Sequence, residues 1–127
     1  MIDILQRTLG NRVILATDLM PPVSPGYHVA GGVMRSEDGT IAGSAVHLDQ
    51  SVRNYMAYTE LPFARAVEAA TNAPAKLLGY ENDLGRIGRG LRADLSFWDN
   101  EYRVIGTMVG GKMVYGDCLS RAAAQAS

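Results

Sequence analysis

Apolar residues recur at the three- and four-residue spacing of an amphipathic helix in three stretches of the chain. The apolar faces are formed by Ile2, Leu5 and Leu9, by Val52, Tyr55 and Met56, and by Phe63, Ala66, Val67 and Ala70. We expect Gly10 to end the first helix, Asp49 to cap the second, and Pro62 to occupy the first position of the third. A further helical turn is predicted over residues 74–78, with Gly79 at its end.

Residues 13–17, Val-Ile-Leu-Ala-Thr, form a β-favouring run without polar alternation. Such a run is typical of a strand that is buried on both faces of a parallel sheet. The three prolines and the glycine in residues 18–26 would end this strand, because proline cannot continue sheet pairing. One strand cannot make a parallel sheet. The sequence therefore has the character of a fragment of a larger protein, or of a subunit whose strand pairs with another chain.

The last third of the chain has short β-type runs between glycine-rich turns. These runs are Leu95–Trp98, Val104–Val109 and Lys112–Tyr115. Gly110 and Gly111 separate the last two runs and supply the positive φ angles that a two-residue hairpin turn requires. Before the helices, residues 27–34 are predicted as one irregular strand and residues 37–40 as a turn.

Composition narrows the function classes. The chain has 127 residues, 47% of them hydrophobic and 20% charged, which suits one globular domain. The net charge is −1 and the basic residues are scattered, which argues against a nucleic-acid or membrane partner. Cys118 is the only cysteine, which excludes an internal disulfide. With no signal peptide or membrane span recognisable in the sequence, we expect a cytoplasmic protein.

Two places are candidates for chemistry. Asp18 follows the apolar run 13–17, and in a βα barrel the carboxyl end of a strand is where catalytic groups gather. On position alone, a loop-capping role for Asp18 is the more common alternative. Residues 38–44 include small side chains that let a ligand approach the backbone closely, although a surface turn without a ligand has the same composition.

The other sequence motifs give only weak support for a metal or phosphate site. His28 and His47 belong to no H-x-H or H-E-x-x-H arrangement, so we expect no self-contained metal site in this chain. The glycine-rich residues 85–90 have G-x-x-G-x-G spacing and precede a β-type run, which favours a turn over a phosphate-binding loop.

Five segments in this order resemble the amidohydrolase superfamily, and within it the C-terminal portion of the N-acetylglucosamine-6-phosphate deacetylases. They are residues 13–22, 38–44, 51–54, 69–79 and 84–95. The last two segments occur across many amidohydrolases. The Asp-Gly-Thr-Ile-Ala-Gly-Ser segment and the following Val-Arg-Asn point to the deacetylases.

This resemblance implies an α/β fold, namely the C-terminal fragment of a (β/α)₈ barrel with residues 13–17 as its last strand, together with strands of a small β-sandwich. The corresponding division is residues 1–83 for the barrel part, 84–119 for the sandwich strands and 120–127 for a flexible tail.

The resemblance also implies an activity, the removal of the acetyl group from N-acetylglucosamine-6-phosphate to give glucosamine-6-phosphate and acetate. Asp18 matches the catalytic aspartate that takes a proton from a metal-activated water and later gives one to the departing amine. Ile41, Ala42 and Gly43 match the segment that touches the substrate through its backbone. The family's divalent metal, zinc or similar, is held by a glutamate and two histidines that have no counterparts here, so we expect no metal on this chain and no activity from it alone.

Two alternatives remain open from the sequence. The chain is a fragment of another amidohydrolase, such as a cyclic-amide hydrolase, or a truncated, non-catalytic module that dimerises. In each case the unpartnered apolar run 13–17 predicts a homo-oligomer, because exposed backbone groups and apolar side chains invite pairing with another copy.

Overall fold

The structure is a computed structural model that describes residues 1–20 and 25–116. The chain divides into two units, Met1–Ala70 and the residues from Thr71 onward. Within the described residues, no helix is both long and apolar enough to cross a membrane. The predicted tail 120–127 and Cys118 lie outside the described residues.

The first unit contains three α-helices and one antiparallel sheet. In chain order its elements are α1 (Ile2–Leu9), β1 (Tyr27–Ala30), β2 (Val33–Ser36), β3 (Ile41–Ser44), α2 (Leu48–Thr59) and α3 (Phe63–Ala70), with a short 3-10 helix, Gly10–Arg12, after α1. Gly10 ends α1 with a φ of 55°, as the sequence predicts. The strand order is β1-β2-β3, so β3 is an edge strand.

The stretch predicted as one irregular strand is a hairpin. Gly31 and Gly32, with φ angles of 60° and 78°, turn the chain between β1 and β2. In the resulting register Val29 lies opposite Met34. Two adjacent glycines with positive φ angles form a tight turn that a continuous strand would not contain.

The core of the first unit lies where α2 and α3 meet. Val52 and Tyr55 of α2 are 2% and 1% exposed, and Ala66 of α3 is fully buried. The Tyr55 hydroxyl donates a hydrogen bond to the Gln6 side chain, which ties α1 to α2. The small side chain of Ala66 permits a close approach of α2 and α3, as expected from the apolar spacing.

Helix α2 begins at Leu48, two residues earlier than a cap at Asp49 requires. His47 is the N-cap residue, and Asp49 lies in the first turn. The Asp49 carboxylate pairs with the Arg53 guanidinium at 2.9 Å. A carboxylate in the first turn also suits the helix dipole, so Asp49 stabilises the helix from inside rather than as its cap.

Residues 13–17, predicted as a buried strand without a partner in this chain, form no strand and belong to no sheet in the described residues. Their main-chain bonds to helices run from the Val13 N–H to the Gly10 carbonyl of the 3-10 helix at 3.4 Å and from the Leu15 N–H to the Ala69 carbonyl of α3 at 2.9 Å. Just beyond the run, Leu19 forms a parallel bridge with Ser44. A parallel strand needs neighbours that follow a crossover connection, and the described residues supply none.

The second unit contains α4 (Asn72–Leu78) and the strands β4 (Leu95–Trp98), β5 (Val104–Val109) and β6 (Lys112–Tyr115), paired antiparallel in the order β4-β5-β6. The three strands have the predicted bounds. Gly110 and Gly111, with φ angles of 55° and 81°, form the predicted hairpin turn. Gly79 ends α4 in the left-handed conformation, and residues 85–90 form turns and irregular structure.

Candidate functional site

Asp18 is held between two backbone anchors. On its N-terminal side, the Leu15 N–H bonds to Ala69 of α3 at 2.9 Å. On its C-terminal side, the Met20 N–H donates to the Ser44 carbonyl at 3.0 Å, and the Ser44 N–H donates to the Asp18 carbonyl at 3.2 Å. These bonds place Asp18 directly beside the edge strand β3.

The backbone of Asp18 has a φ of 49°, in the left-handed region. Aspartate tolerates this conformation better than most residues, because its short polar side chain can satisfy nearby groups. Within the described residues the Asp18 carboxylate makes no hydrogen bond or ion pair, and the residue is exposed. The carboxylate is therefore accessible to a ligand that approaches the edge of β3.

Strand β3 contains an irregularity beside Asp18. Met34 lies opposite Gly43 and Arg35 lies opposite Ile41, so Ala42 is an extra residue without a register partner in β2. Ile41 is 60% exposed and Ala42 is also exposed. A bulge of this kind frees backbone groups from the regular ladder and is frequent next to active sites.

The turn before β3 is well ordered by side-chain contacts. Asp38 accepts hydrogen bonds from the Ser36 hydroxyl and from the Thr40 N–H, the latter at 3.0 Å. These two bonds favour the ionised carboxylate and lower the pKa of Asp38. Arg35 also donates to the Gly39 carbonyl at 2.8 Å. The carboxylate of Asp38 is thus used to shape the turn that leads into Ile41–Ser44.

The Amidohydrolase family model matches residues 3–114 of the chain. The chain belongs to the amidohydrolase family. The N-acetylglucosamine-6-phosphate deacetylase of Haemophilus influenzae is 30% identical over 115 residues, which cover 81% of this chain and 30% of that protein. The resemblance expected from the sequence is confirmed.

Solved structures of deacetylases are also similar to this chain. The N-acetylglucosamine-6-phosphate deacetylase from Pasteurella multocida matches with a TM-score of 0.81 and 26% identity, covering 91% of this chain and 33% of that chain. An aspartate-to-alanine variant of the Mycobacterium smegmatis deacetylase, in complex with N-acetyl-D-glucosamine-6-phosphate, matches with a TM-score of 0.77 and 29% identity over 89% of this chain and 33% of that chain. This amidohydrolase chain spans about a third of the length of these relatives.

The described residues do not fit a catalytic metal centre. Among them there is no group of three His, Cys, Asp or Glu side chains that could hold a metal ion. His28 lies exposed on β1, and His47 lies exposed before α2. A catalytic zinc ion needs about three protein ligands, so such a site in an amidohydrolase would require residues beyond those described.

The structure brings the two candidate segments from the sequence together at one point, because Asp18 lies beside Gly43 and Ser44, at the end of strand β3. Sequence reasoning included Ser44 and Met20 within these segments but missed that their main-chain groups join the segments. No local pattern marks either residue, since their importance comes from contacts between positions about 25 residues apart.

Proposed function

We propose that this chain forms part of an amidohydrolase that removes the acetyl group from N-acetylglucosamine-6-phosphate, giving glucosamine-6-phosphate and acetate. The observation that carries the proposal is the accessible carboxylate of Asp18 beside the bulged edge strand, Ile41–Ser44. A proton-transfer group and an irregular backbone segment then face the same ligand.

Similarity supports the choice of substrate. The Haemophilus influenzae relative bears the name of this deacetylase, and the Mycobacterium smegmatis structure contains the acetylated sugar phosphate. A phosphorylated substrate and the single cysteine of the sequence are consistent with a cytoplasmic enzyme.

Asp18 is the general acid and base of the proposed reaction. Its carboxylate takes a proton from the water that attacks the acetyl carbonyl carbon. The carbon–nitrogen bond then breaks, and Asp18 returns the proton to the leaving amine nitrogen. The amine also takes up the second proton of the water, so the products are acetate and the protonated amine, and the carboxylate is regenerated. Proton transfer by a positioned side chain contributes about 10²- to 10⁴-fold to rate.

Ile41, Ala42 and Gly43 are proposed to contact the substrate through their backbone. Main-chain N–H and C=O groups at a bulge can orient the polar groups of a sugar without demanding particular side chains. The exposure of Ile41 and Ala42 is consistent with this role.

The complete enzyme is proposed to use a divalent metal, zinc or similar. Because the described residues do not fit such a site, its ligands would come from elsewhere in the complete enzyme. The contribution proposed for this chain is the carboxylate and the backbone segment.

Replacing Asp18 with asparagine in the complete enzyme tests this proposal. The substitution keeps the shape of the side chain and removes the base, so kcat for N-acetylglucosamine-6-phosphate is expected to fall about 10²- to 10⁴-fold. Asp83→Asn is the matched control, because Asp83 is an exposed aspartate in the second unit, and it should leave kcat unchanged.

Near-normal turnover in Asp18→Asn would show that Asp18 only shapes the loop. Hydrolysis of a cyclic amide in place of the acetylated sugar phosphate would favour another amidohydrolase activity.

A further inference from the structure

Gly43 is covered on one side by the segment that carries Asp18. A β-carbon at position 43 would lie 2.9 Å from Met20 Cγ, 3.0 Å from Met20 Sδ and 3.3 Å from the Asp18 carbonyl oxygen. Separations near or below 3.0 Å between a β-carbon and another heavy atom are too short for van der Waals contact. A β-carbon at position 43 would therefore force the Met20 side chain out of its place.

Backbone conformation does not explain the glycine. The φ of Gly43 lies outside the positive range that disfavours other residues, in contrast to most glycines of the chain. Met34, the register partner of Gly43 in β2, is fully buried, so β3 is supported by the core at this position. The lack of a side chain at position 43 therefore serves the contact with Met20 and Asp18.

This contact reinforces the C-terminal anchor of Asp18. The bonds between Ser44 and the Asp18–Met20 segment, at 3.0 and 3.2 Å, adjoin the place where Met20 covers Gly43. A displacement of the Met20 backbone would lengthen its bond to Ser44 and so weaken the anchor next to Asp18, whose backbone is left-handed with a φ of 49°.

We propose that Gly43 and Met20 are positioning residues, which fix the backbone of Asp18 by packing against each other and so set the direction of its carboxylate. The proposal rests on the proposed function of Asp18 for its catalytic meaning. It assigns Gly43 a role toward Asp18 in addition to its proposed backbone contact with the substrate.

Substitutions at positions 43 and 20 test this proposal together, because the change at Met20 should suppress the effect of the change at Gly43. Gly43→Ala introduces the clash with the middle of the Met20 side chain, which must then move. Met20→Ala removes the Cγ and Sδ atoms and leaves the contact at 3.3 Å with the Asp18 carbonyl, which needs only a small adjustment. The double variant is therefore expected to recover much of the native geometry of Asp18.

Nuclear magnetic resonance of the full chain reads out this geometry directly. The signature is the set of Asp18 Cα and Cβ chemical shifts, which report its left-handed backbone, together with hydrogen exchange at the Met20 and Ser44 amides. In Gly43→Ala we expect the Asp18 shifts to change and the two amides to exchange about tenfold faster or more. In the double variant, the Asp18 shifts and the exchange rates should return toward wild type.

Gly88→Ala is the matched control. Gly88 also lacks a positive φ, and its own close contact, with Leu91 Cδ1 at 3.1 Å, lies in the second unit. Its substitution should leave the signals of Asp18, Met20 and Ser44 unchanged. The amide of Tyr55 monitors the core of the first unit in every variant.

Unchanged Asp18 shifts in Gly43→Ala would overturn the proposal. If Gly43→Ala unfolds the first unit, seen as lost protection at Tyr55, the double variant decides. A folded double variant with native Asp18 shifts and Ser44 exchange supports the proposal, and a double variant that stays unfolded overturns it. None of these measurements depends on turnover, so they are independent of the test in which Asp18→Asn is assayed for activity.

Discussion

Removing the hydroxyl of Tyr55 should destabilise the first unit measurably. Tyr55 is 1% exposed and donates its hydroxyl hydrogen to the Gln6 side chain, which joins α2 to α1. In Tyr55→Phe the ring still fills its place in the core, so the loss is confined to this hydrogen bond. The Gln6 oxygen is left partly buried without its donor.

The expected loss of stability combines the lost hydrogen bond and the cost of leaving the Gln6 oxygen without a donor. A hydrogen bond between neutral groups contributes about 1 kcal/mol, and a partly buried acceptor without a partner adds a further penalty, for a total of about 1–2 kcal/mol. In a unit of this size, Met1–Ala70, each kcal/mol shifts Tm by about 4–8 °C. Tyr55→Phe is therefore expected to lower the Tm of the first unit by about 5–15 °C.

Circular dichroism at the helical wavelengths provides the assay, since α1, α2 and α3 all belong to the first unit. Gln6→Leu completes a double-mutant cycle, because removing both partners of a hydrogen bond costs less than removing one. The double variant should thus be more stable than the sum of the single effects predicts. A Tm within about 1 °C of wild type in Tyr55→Phe would refute the assignment of this bond as a tie between α1 and α2.

Three further outcomes are expected. Burial raises the pKa of Tyr55, with a smaller opposing effect from Arg65. The folded state therefore holds the hydroxyl proton more tightly than the unfolded state. The free energy of unfolding, measured with urea, should fall as pH rises above about 10, and it should fall less in Tyr55→Phe. Ile4 and Leu5 of α1 are 67% and 46% exposed, so sedimentation at low micromolar concentration should reveal a dimer or larger assembly; a cooperatively folding monomer would argue against this expectation. The chain alone, with or without added zinc, should not hydrolyse N-acetylglucosamine-6-phosphate, and turnover that survives chelation controls but is lost in Asp18→Asn would contradict this.

Local patterns were sufficient to predict the strands of the second unit. Leu95–Trp98, Val104–Val109 and Lys112–Tyr115 have the expected bounds because each is short, β-favouring and delimited by turns. The Gly110–Gly111 turn joins adjacent strands, so its sequence alone specifies their pairing. Helix ends marked by glycine, at Gly10 and Gly79, were predictable for the same local reason.

Strand pairing that depends on residues far apart in the sequence could not be predicted from local patterns. The composition of residues 13–17 describes a buried strand, whereas the described chain offers them helix carbonyls and no neighbouring strand. Two helix carbonyls, those of Gly10 and Ala69, accept bonds from this run. Composition reports the environment for which a segment is suited, and it does not say whether the chain supplies that environment.

The candidate site shows what a local sequence pattern can predict and what depends on contacts between distant residues. Position at the end of an apolar run made Asp18 a candidate, but loop capping was the more common role for an aspartate at that position. Only the resemblance to the deacetylases connected Asp18 with Ile41, Ala42 and Gly43 before the structure was known. The bonds of Ser44 with Asp18 and Met20 supply the physical reason for their proximity.

The anchors of Asp18 also bear on how this sequence can diverge. The bonds at Leu15, Ala69 and Ser44 use main-chain groups, which every residue except proline can provide as donor and acceptor. The half-buried side chain of Leu15 can therefore be exchanged over generations, or in a designed library, while the aspartate keeps its place. Steric demand limits Gly43 and also Ala69, which is 5% exposed, so random mutagenesis around Asp18 should recover many tolerated changes at position 15 and few at positions 43 and 69.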